Sequence, residues 1–361
     1  MNLIDSAVEQ RSYTLEEILS QPQCWNDCLR QLAESRELQQ AAEMAIPGTE
    51  WMFVGCGSSF YLAQAAAATF NHLGLRARAV PASELLLFPE LAMPNGRSCL
   101  PVMISRSGLT SEVLRATRML ENEKKIRTLA VTCTAGQPLE AISSVTLKLL
   151  AADEKSTVMT RSFTSMLLTL QYLAATVSSN NSFRQALMDL PKQAAPLLAE
   201  VPIRLKRFID NNSFADYVFL AQGPLFGVAS ESMLKMTESS CSYAQVFHTM
   251  EFRHGPKSIV SPQTLISFLM SETSYEAEVE VLQEMKTLGA TTMVIANRLD
   301  SRAHEAADFA IEMSLSSPEF ARLVAYTMCG QLAGVFNGLK KGHNPDSPRN
   351  LSRVVVLAGA N

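Results

Sequence analysis

Hydrophobic and polar positions along the chain follow two alternating rhythms. Trp51-Met-Phe-Val-Gly, Arg76 to Val80, Leu100-Pro-Val-Met-Ile, Arg127 to Thr132 and Val145 to Leu150 read as five short strands. The unbroken apolar run of the first predicts a strand buried on both sides. Between the five, residues 60–73 and the segment that ends near Asn122 carry apolar positions at helical spacing. Strands alternating with helices predict an α/β fold, a parallel sheet with helices on both faces. Ahead of this pattern, residues 1–50 read as helices. Tyr13-Thr-Leu-Glu-Glu-Ile-Leu carries a capping signal, with Thr14 as the cap and acids in the first turn, and helical periodicity runs from Trp25 to about Met44. A mostly helical stretch follows from about Ser162 to Phe208. Pro191, Pro196 and Pro202 punctuate it, and a domain boundary is expected there.

The second half repeats the first. Tyr217-Val-Phe-Leu-Ala-Gln-Gly223 matches Met52 to Gly57, and Thr264 to Met270 with its serine-rich sequel matches the third strand and its loop. Thr291 to Ala296 matches Arg127 to Thr132, and Phe309 to Met313 matches Val145 to Leu149. Four matches at one offset of about 165 residues predict a duplicated α/β domain. The expected division is N-terminal helices over 1–44, a first domain over 45–198, a second over 199–341 and an irregular tail over 342–361. A long apolar helix, roughly Pro318 to Leu339, closes the second domain.

Composition narrows the functional classes. A chain of 361 residues, 47% hydrophobic and 18% charged, can bury two ordinary cores. A net charge of −4 gives no footprint for nucleic acid or an anionic membrane, so neither is expected as a partner. No apolar run approaches the roughly 20 residues of a membrane span. The seven cysteines are odd in number and scattered without zinc-like spacing. They read as reduced thiols and, with an N-terminal sequence that lacks an export signal, lead to the expectation of a cytoplasmic protein.

Two loops carry the first candidate chemistry. Gly55-Cys-Gly-Ser-Ser59 and Ser105-Arg-Ser-Gly-Leu-Thr110 each follow a strand and open a helix. Ligands of open parallel sheets bind at such strand ends, and helix N-termini favour anions. Hydroxyls add neutral donors for phosphate oxygens, although Ser and Thr also cap helices routinely. Neither loop is a Walker loop, and the dinucleotide fingerprint fails at Phe60. The matching loops of the second half, Gln222-Gly-Pro-Leu and Ser271-Glu-Thr-Ser, are poorer in glycine and more acidic. Only the first domain therefore reads as a phosphate holder. Arg106 reads either as a substrate contact or as a surface charge.

The second candidate is Val228 to Ser239. On a helix, Glu231, Lys235 and Glu238 fall on one face. They are either a solvated ion-pair ladder or an acid/base cluster in a cleft. The charged, loop-like Glu251-Phe-Arg-His-Gly-Pro-Lys257 that follows holds His254, one of five histidines, and favours the cluster. Such a pair suits general acid/base chemistry, in which one group takes and returns a proton while a second acts as an acid. A partly desolvated carboxylate suits the shuttle, and a cation one turn away suits a developing oxyanion. No metal or other cofactor is called for.

Together, Cys56-Gly-Ser-Ser59, Ser105-Arg-Ser-Gly108, Glu231-Ser-x-x-Lys-x-x-Glu238 and Phe252-Arg-His-Gly-Pro-Lys-Ser258 resemble the sugar isomerase (SIS) fold. More narrowly, they resemble the tandem-SIS enzymes of amino-sugar phosphates. One branch is the isomerase half of glucosamine-6-phosphate synthase. The other is the tagatose-6-phosphate ketose/aldose isomerase group, which acts as galactosamine-6-phosphate deaminases. Tyr13 to Trp25, Met159-Thr-Arg-Ser-Phe-Thr164 and Gly342-His-Asn-Pro-Asp346 are more similar to the second branch, Asp346-Ser-Pro-Arg-Asn-Leu351 to the first.

The resemblance implies two SIS domains, each a parallel sheet flanked by helices. Ser58, Ser59, Ser105, Ser107 and Thr110 would hold the sugar phosphate, with Cys56, Gly57 and Arg106 in the same loops. Glu238 would carry the proton between C1 and C2, His254 would open the ring from a neighbouring subunit of a homodimer, and Glu231 and Lys235 would line the cleft. Arg353 stands where the synthase carries a Schiff-base lysine, and arginine is a poor imine former. The chain also lacks the Met-Cys start and glutaminase domain of the synthase, so glutamine is not the expected ammonia source. The implied activity is isomerisation of a hexosamine 6-phosphate to a ketose 6-phosphate with release of ammonia, through an enediol or enolamine. A fructosamine-6-phosphate deglycase and a non-catalytic sugar-phosphate sensor are the alternatives.

Overall fold

The computed structural model of the chain describes residues 12–94, 98–355 and 357. The chain folds into two compact units. The first-sheet unit comprises Ser20–Glu154, Arg161–Pro191 and the tail from Ser352; the second-sheet unit comprises the N-terminal residues to Leu19, Lys155–Thr160 and Lys192–Leu351. These units are not continuous spans of the chain. The N-terminal helices are shared between the units, a six-residue insert crosses over at 155–160, and the tail divides near Ser352. Pro191 and Pro202 do not punctuate the helical stretch either. They lie inside the helices Asn181–Ala194 and Leu197–Asn211, and Pro196 alone stands between these two.

The first-sheet unit is built on β1 (Glu50–Gly55), β2 (Ala77–Pro81), β3 (Cys99–Ile104), β4 (Leu129–Thr132) and β5 (Val145–Lys148). The order is β2-β1-β3-β4-β5 and every pairing is parallel. Apolar residues fill both faces of the central strands, as the unbroken run of β1 predicts for that strand. On one face Trp51, Phe53 and Phe70 pack ring to ring, with Phe70 centred 4.9 and 4.8 Å from the other two. The chain leaves β1 for β2 on one side and returns to β3 on the other, so the switch point lies between β1 and β3.

The second-sheet unit repeats this topology with β6 (Asp216–Ala221), β7 (Ala244–His248), β8 (Thr264–Leu269), β9 (Thr291–Ala296) and β10 (Phe309–Glu312), all parallel in the order β10-β9-β8-β6-β7. β7 completes the duplication and had no counterpart in the sequence pattern. It is an edge strand, no residue of it is fully buried, and Ala-Gln-Val-Phe-His lacks an apolar run.

Two helices of this unit lie unusually close together. Leu323–Lys340 places Gly330, Gly334 and Gly338 one turn apart against Phe226–Ser240. A Cβ at Gly334 would fall 2.6 Å from the Lys235 carbonyl oxygen, and one at Gly338 would fall 2.1 Å from that of Ser239. Backbone therefore packs on backbone. Asn337 locks the lower end, donating to Ser240 and Ser242 hydroxyls (3.0 and 3.1 Å) and accepting from Tyr217 (3.0 Å).

The helix Tyr13–Leu19 forms where expected but is capped differently. The Asp346 carboxylate accepts from the backbone N–H groups of Tyr13 and Thr14 (2.9 and 2.8 Å) and from the hydroxyls of Ser12 and Thr14 (2.9 and 2.7 Å). Thr14, the expected cap, is inside the helix. Glu17 of the same helix accepts from Lys155 N (2.6 Å) and the Ser156 hydroxyl (2.5 Å), tying in the inserted segment.

Candidate active site

Both hydroxyl loops of the first-sheet unit leave the carboxyl ends of adjacent strands. Val54 is level with Met103 in the β1–β3 pair, so Cys56 and Ser105 emerge side by side at the switch point. Gly55 has no alternative here: a Cβ would lie 2.6 Å from the Ser59 carbonyl carbon. Gly57 turns at φ 53° and caps the helix Ser58–His72 without a side chain. In the neighbouring loop the Ser105 and Thr110 hydroxyls are 2.9 Å apart, and the Leu109 N–H donates to Ser107 Oγ at 3.2 Å. Cys56, Gly57, Ser58, Ser59, Ser105, Ser107 and Thr110 thus lie on two neighbouring turns, with Ser58, Ser59 and Ser105 buried. Burial first, and the Glu112 charge second, push the Cys56 thiol up to about 12, so it is a neutral wall and not a nucleophile.

Arg106 is not a surface charge. It is buried, pairs with Glu154 at 3.1 Å and donates to the Arg353 carbonyl oxygen at 2.9 Å. Glu154 also accepts from the Ser162 N–H and hydroxyl (3.0 and 2.5 Å). These bonds make Arg106 a brace for the tail. The Arg353 guanidinium pairs with Asp153 at 2.6 Å and is partly exposed. Beyond it, Leu357 N donates to Ser111 Oγ at 3.0 Å, so the tail lies along the start of the helix Ser111–Arg118.

The second-sheet unit holds the charged stripe. Glu231, Lys235 and Glu238 share one face of Phe226–Ser240, as the spacing predicts. They are no solvated ladder, because Glu231 and Lys235 are 0% and 1% exposed while Glu238 keeps 19%. Lys235 Nζ lies 3.3 Å from Glu231 and also donates to Glu238. Burial is the largest influence on Lys235 and pulls its pKa down. The Glu231 and Glu238 charges together outweigh it and leave the ammonium above its ordinary value. Lys235 is therefore a fixed cation and not a base, and of the three only Glu238 keeps appreciable exposure.

Glu238 does not sit where the strand-end rule looks. The helix starts just after β6 and runs back along the sheet, so Glu238 in its last turn is about 18 Å down the axis from Phe226. The strand ends of the second sheet hold two carboxylates instead. Glu278 accepts from Thr249 Oγ1 (3.0 Å), Ser271 N (2.8 Å) and Ser274 Oγ (3.1 Å), and Glu319 accepts from Glu272 N (2.7 Å). The donors that would greet a phosphate are spent on the chain's own acids. Composition hinted at this in the acidic loops, but the contribution of Glu319, 47 residues from its partner Glu272, carries no local signal.

His254 is exposed on the loop after β7, in a tight turn that Gly255 continues at φ 123°. Among the other histidines, His248 stacks on Phe226 with centroids 3.8 Å apart, and His304 lies 3.5 Å from Glu312. Among the described residues no cluster of His, Cys, Asp and Glu is arranged to hold a metal ion, and no helix is long and apolar enough to cross a membrane.

The profile of the SIS domain matches residues 50–176 and 216–335, one copy on each sheet. The glutamine–fructose-6-phosphate aminotransferase (isomerizing) of Pyrobaculum aerophilum is 27% identical over 354 residues, covering 96% of this chain and 57% of its own length. The chain spans about half to three fifths of the length of the curated relatives it matches. Among solved structures, the tagatose-6-phosphate ketose/aldose isomerase from Escherichia coli superposes with a TM-score of 0.83 at 21% identity, over 97% of each chain. The glucosamine-6-phosphate deaminase from Thermotoga maritima superposes with a TM-score of 0.77 at 28% identity, over 96% of this chain and all of its own.

Proposed function

Because the chain belongs to the SIS domain family, we propose that it is an enzyme that isomerises a hexosamine 6-phosphate to a ketose 6-phosphate and releases ammonia. The observation that carries this reading is the buried Glu231–Lys235–Glu238 cluster, which leaves one carboxylate accessible beside a fixed cation. In the proposed reaction His254 assists ring opening, which frees the C1 aldehyde. Glu238 takes the C2 proton and returns it to C1, giving a 2-imino ketose. Water then replaces the imine nitrogen, and ketose and ammonia leave. Lys235 stabilises the oxygen that becomes anionic in the enolamine, a role suited to a cation that does not deprotonate.

The hydroxyls of Ser58, Ser59, Ser105, Ser107 and Thr110 are assigned to the phosphate. Arg106 and Arg353 are assigned to shaping the tail beside those loops, since each already holds a carboxylate. Arginine at 353 also favours deamination over a route through a lysine imine. His254 acts on the site of a second copy of the chain, a reading supported by its exposure.

The test is to incubate the protein with a panel of aminohexose 6-phosphates and fructosamine 6-phosphates and to follow ammonia, amino acid and ketose phosphate. Ammonia release is expected. Amino-acid release would turn the assignment to a deglycase, and thermal stabilisation without turnover would turn it to a sensor. Glu238→Gln is expected to abolish turnover while keeping sugar-phosphate binding within a few-fold.

A further inference from the structure

The loop that presents His254 is closed by a single carboxylate from another element. Arg253 Nε and Lys257 Nζ, on either side of His254-Gly-Pro, both donate to Glu284 of the helix Tyr275–Thr287, to Oε2 and Oε1 respectively, each at 2.6 Å. Glu280, one turn earlier, is 4.0 Å from the same arginine. Between the two anchors the chain makes two short 3-10 turns, Glu251–Arg253 and Pro256–Ile259, and folds through Gly255 at φ 123°. The His254 N–H donates to Glu251 O and the Ser258 N–H to Gly255 O, both at 3.0 Å. The His254 side chain is the exposed apex of this closed turn.

We propose that Glu284 is a positioning residue. By joining Arg253 to Lys257 it sets the direction in which His254 leaves the chain, and so the geometry of the ring-opening step. This rests on the reaction proposed above. Hydrogen bonding from Lys257 first, and from Arg253 behind it, holds the Glu284 carboxyl below the usual range against the opposing effect of burial. The clamp is therefore charged at neutral pH. Ion pairs this exposed contribute little to global stability. Their effect belongs to the shape of the turn.

The experiment is a double-mutant cycle on ammonia release, with Glu284→Ala, His254→Asn and the pair together. Glu284→Ala is expected to lower kcat about tenfold with KM little changed, because a misaligned acid slows the step without weakening phosphate binding. His254→Asn keeps residual turnover, since sugar rings also open spontaneously. Adding Glu284→Ala to His254→Asn should then cost nothing further. Losses that multiply would show a merely structural Glu284 and overturn the proposal, as would full activity in Glu284→Ala.

Glu238→Gln separates the two readings. If it retains activity, the proposed reaction fails. If it is dead while Glu284→Ala is unimpaired, only the clamp fails. Should Glu284→Ala not fold, Arg253→Gln and Lys257→Gln test the clamp from its other side; each is expected to lower kcat several-fold, and undiminished kcat in both would overturn it.

Discussion

Glu278 is fully buried, and that burial pushes its carboxyl from the ordinary 4.5 up to about 7, against the hydrogen bonds of Ser271, Thr249 and Ser274. A carboxyl with a raised folded pKa holds its proton more tightly in the native state. Its contribution to stability is therefore full at low pH and is lost as the pH climbs from 4.5 through 7. The size is on the order of 3 kcal/mol. Glu278→Gln is expected to remove this slope. In urea unfolding at pH 5 and pH 8, the variant should gain about 3 kcal/mol on the parent between the two conditions; parallel slopes would show that the group does not titrate as its setting implies. The serine-rich loop around Glu278 was visible in the sequence, but not the acid that fills it, because a helix side chain reaching back to its own N-terminal loop leaves no motif.

The element that matters most is the helix Phe226–Ser240. Its charged stripe was legible, since i, i+4 and i, i+7 spacing places three side chains on one face whatever surrounds them. Whether that face was wet was not legible, because burial depends on the partner helix. Gly330, Gly334 and Gly338 decide it by letting Leu323–Lys340 approach to backbone contact. Gly334→Ala is accordingly expected to cost about 1–3 kcal/mol in chemical denaturation. It should also lower activity by more than the lost folded fraction explains, because the methyl presses on the carbonyl of Lys235 itself. Unchanged stability would mean that the two backbones have room to part. β7 escaped notice for the opposite reason: an edge strand needs no continuous apolar run, and its residues are partly open.

For the whole molecule, duplication was the strongest signal in the sequence, and both sheets follow it strand for strand. What linear reading missed was the interleaving of segments, because Asp346 and Thr14 carry no mark of their pairing. The neighbouring-subunit role proposed for His254 makes a prediction at this scale. Glu238→Gln and His254→Asn subunits, each inactive or nearly so alone, should restore about a quarter of parental activity when refolded together in equal amounts. Half of the dimers are then mixed, and each mixed dimer holds one complete set of residues. No restoration would place both groups in the same chain's site.

The Asp346 cap also bears on the order in which the protein acquires its shape during synthesis. Tyr13–Leu19 is translated long before the carboxylate that caps it, which is 332 residues away from Thr14. Seven residues do not hold a helix by themselves. β1 to β5 are all translated by Lys148, so the first sheet can close while the opening segment remains without its partner. Translation must pass Asp346 before that segment docks, and until then its buried side chains, Leu15 and Ile18 among them, are exposed to chaperones and proteases.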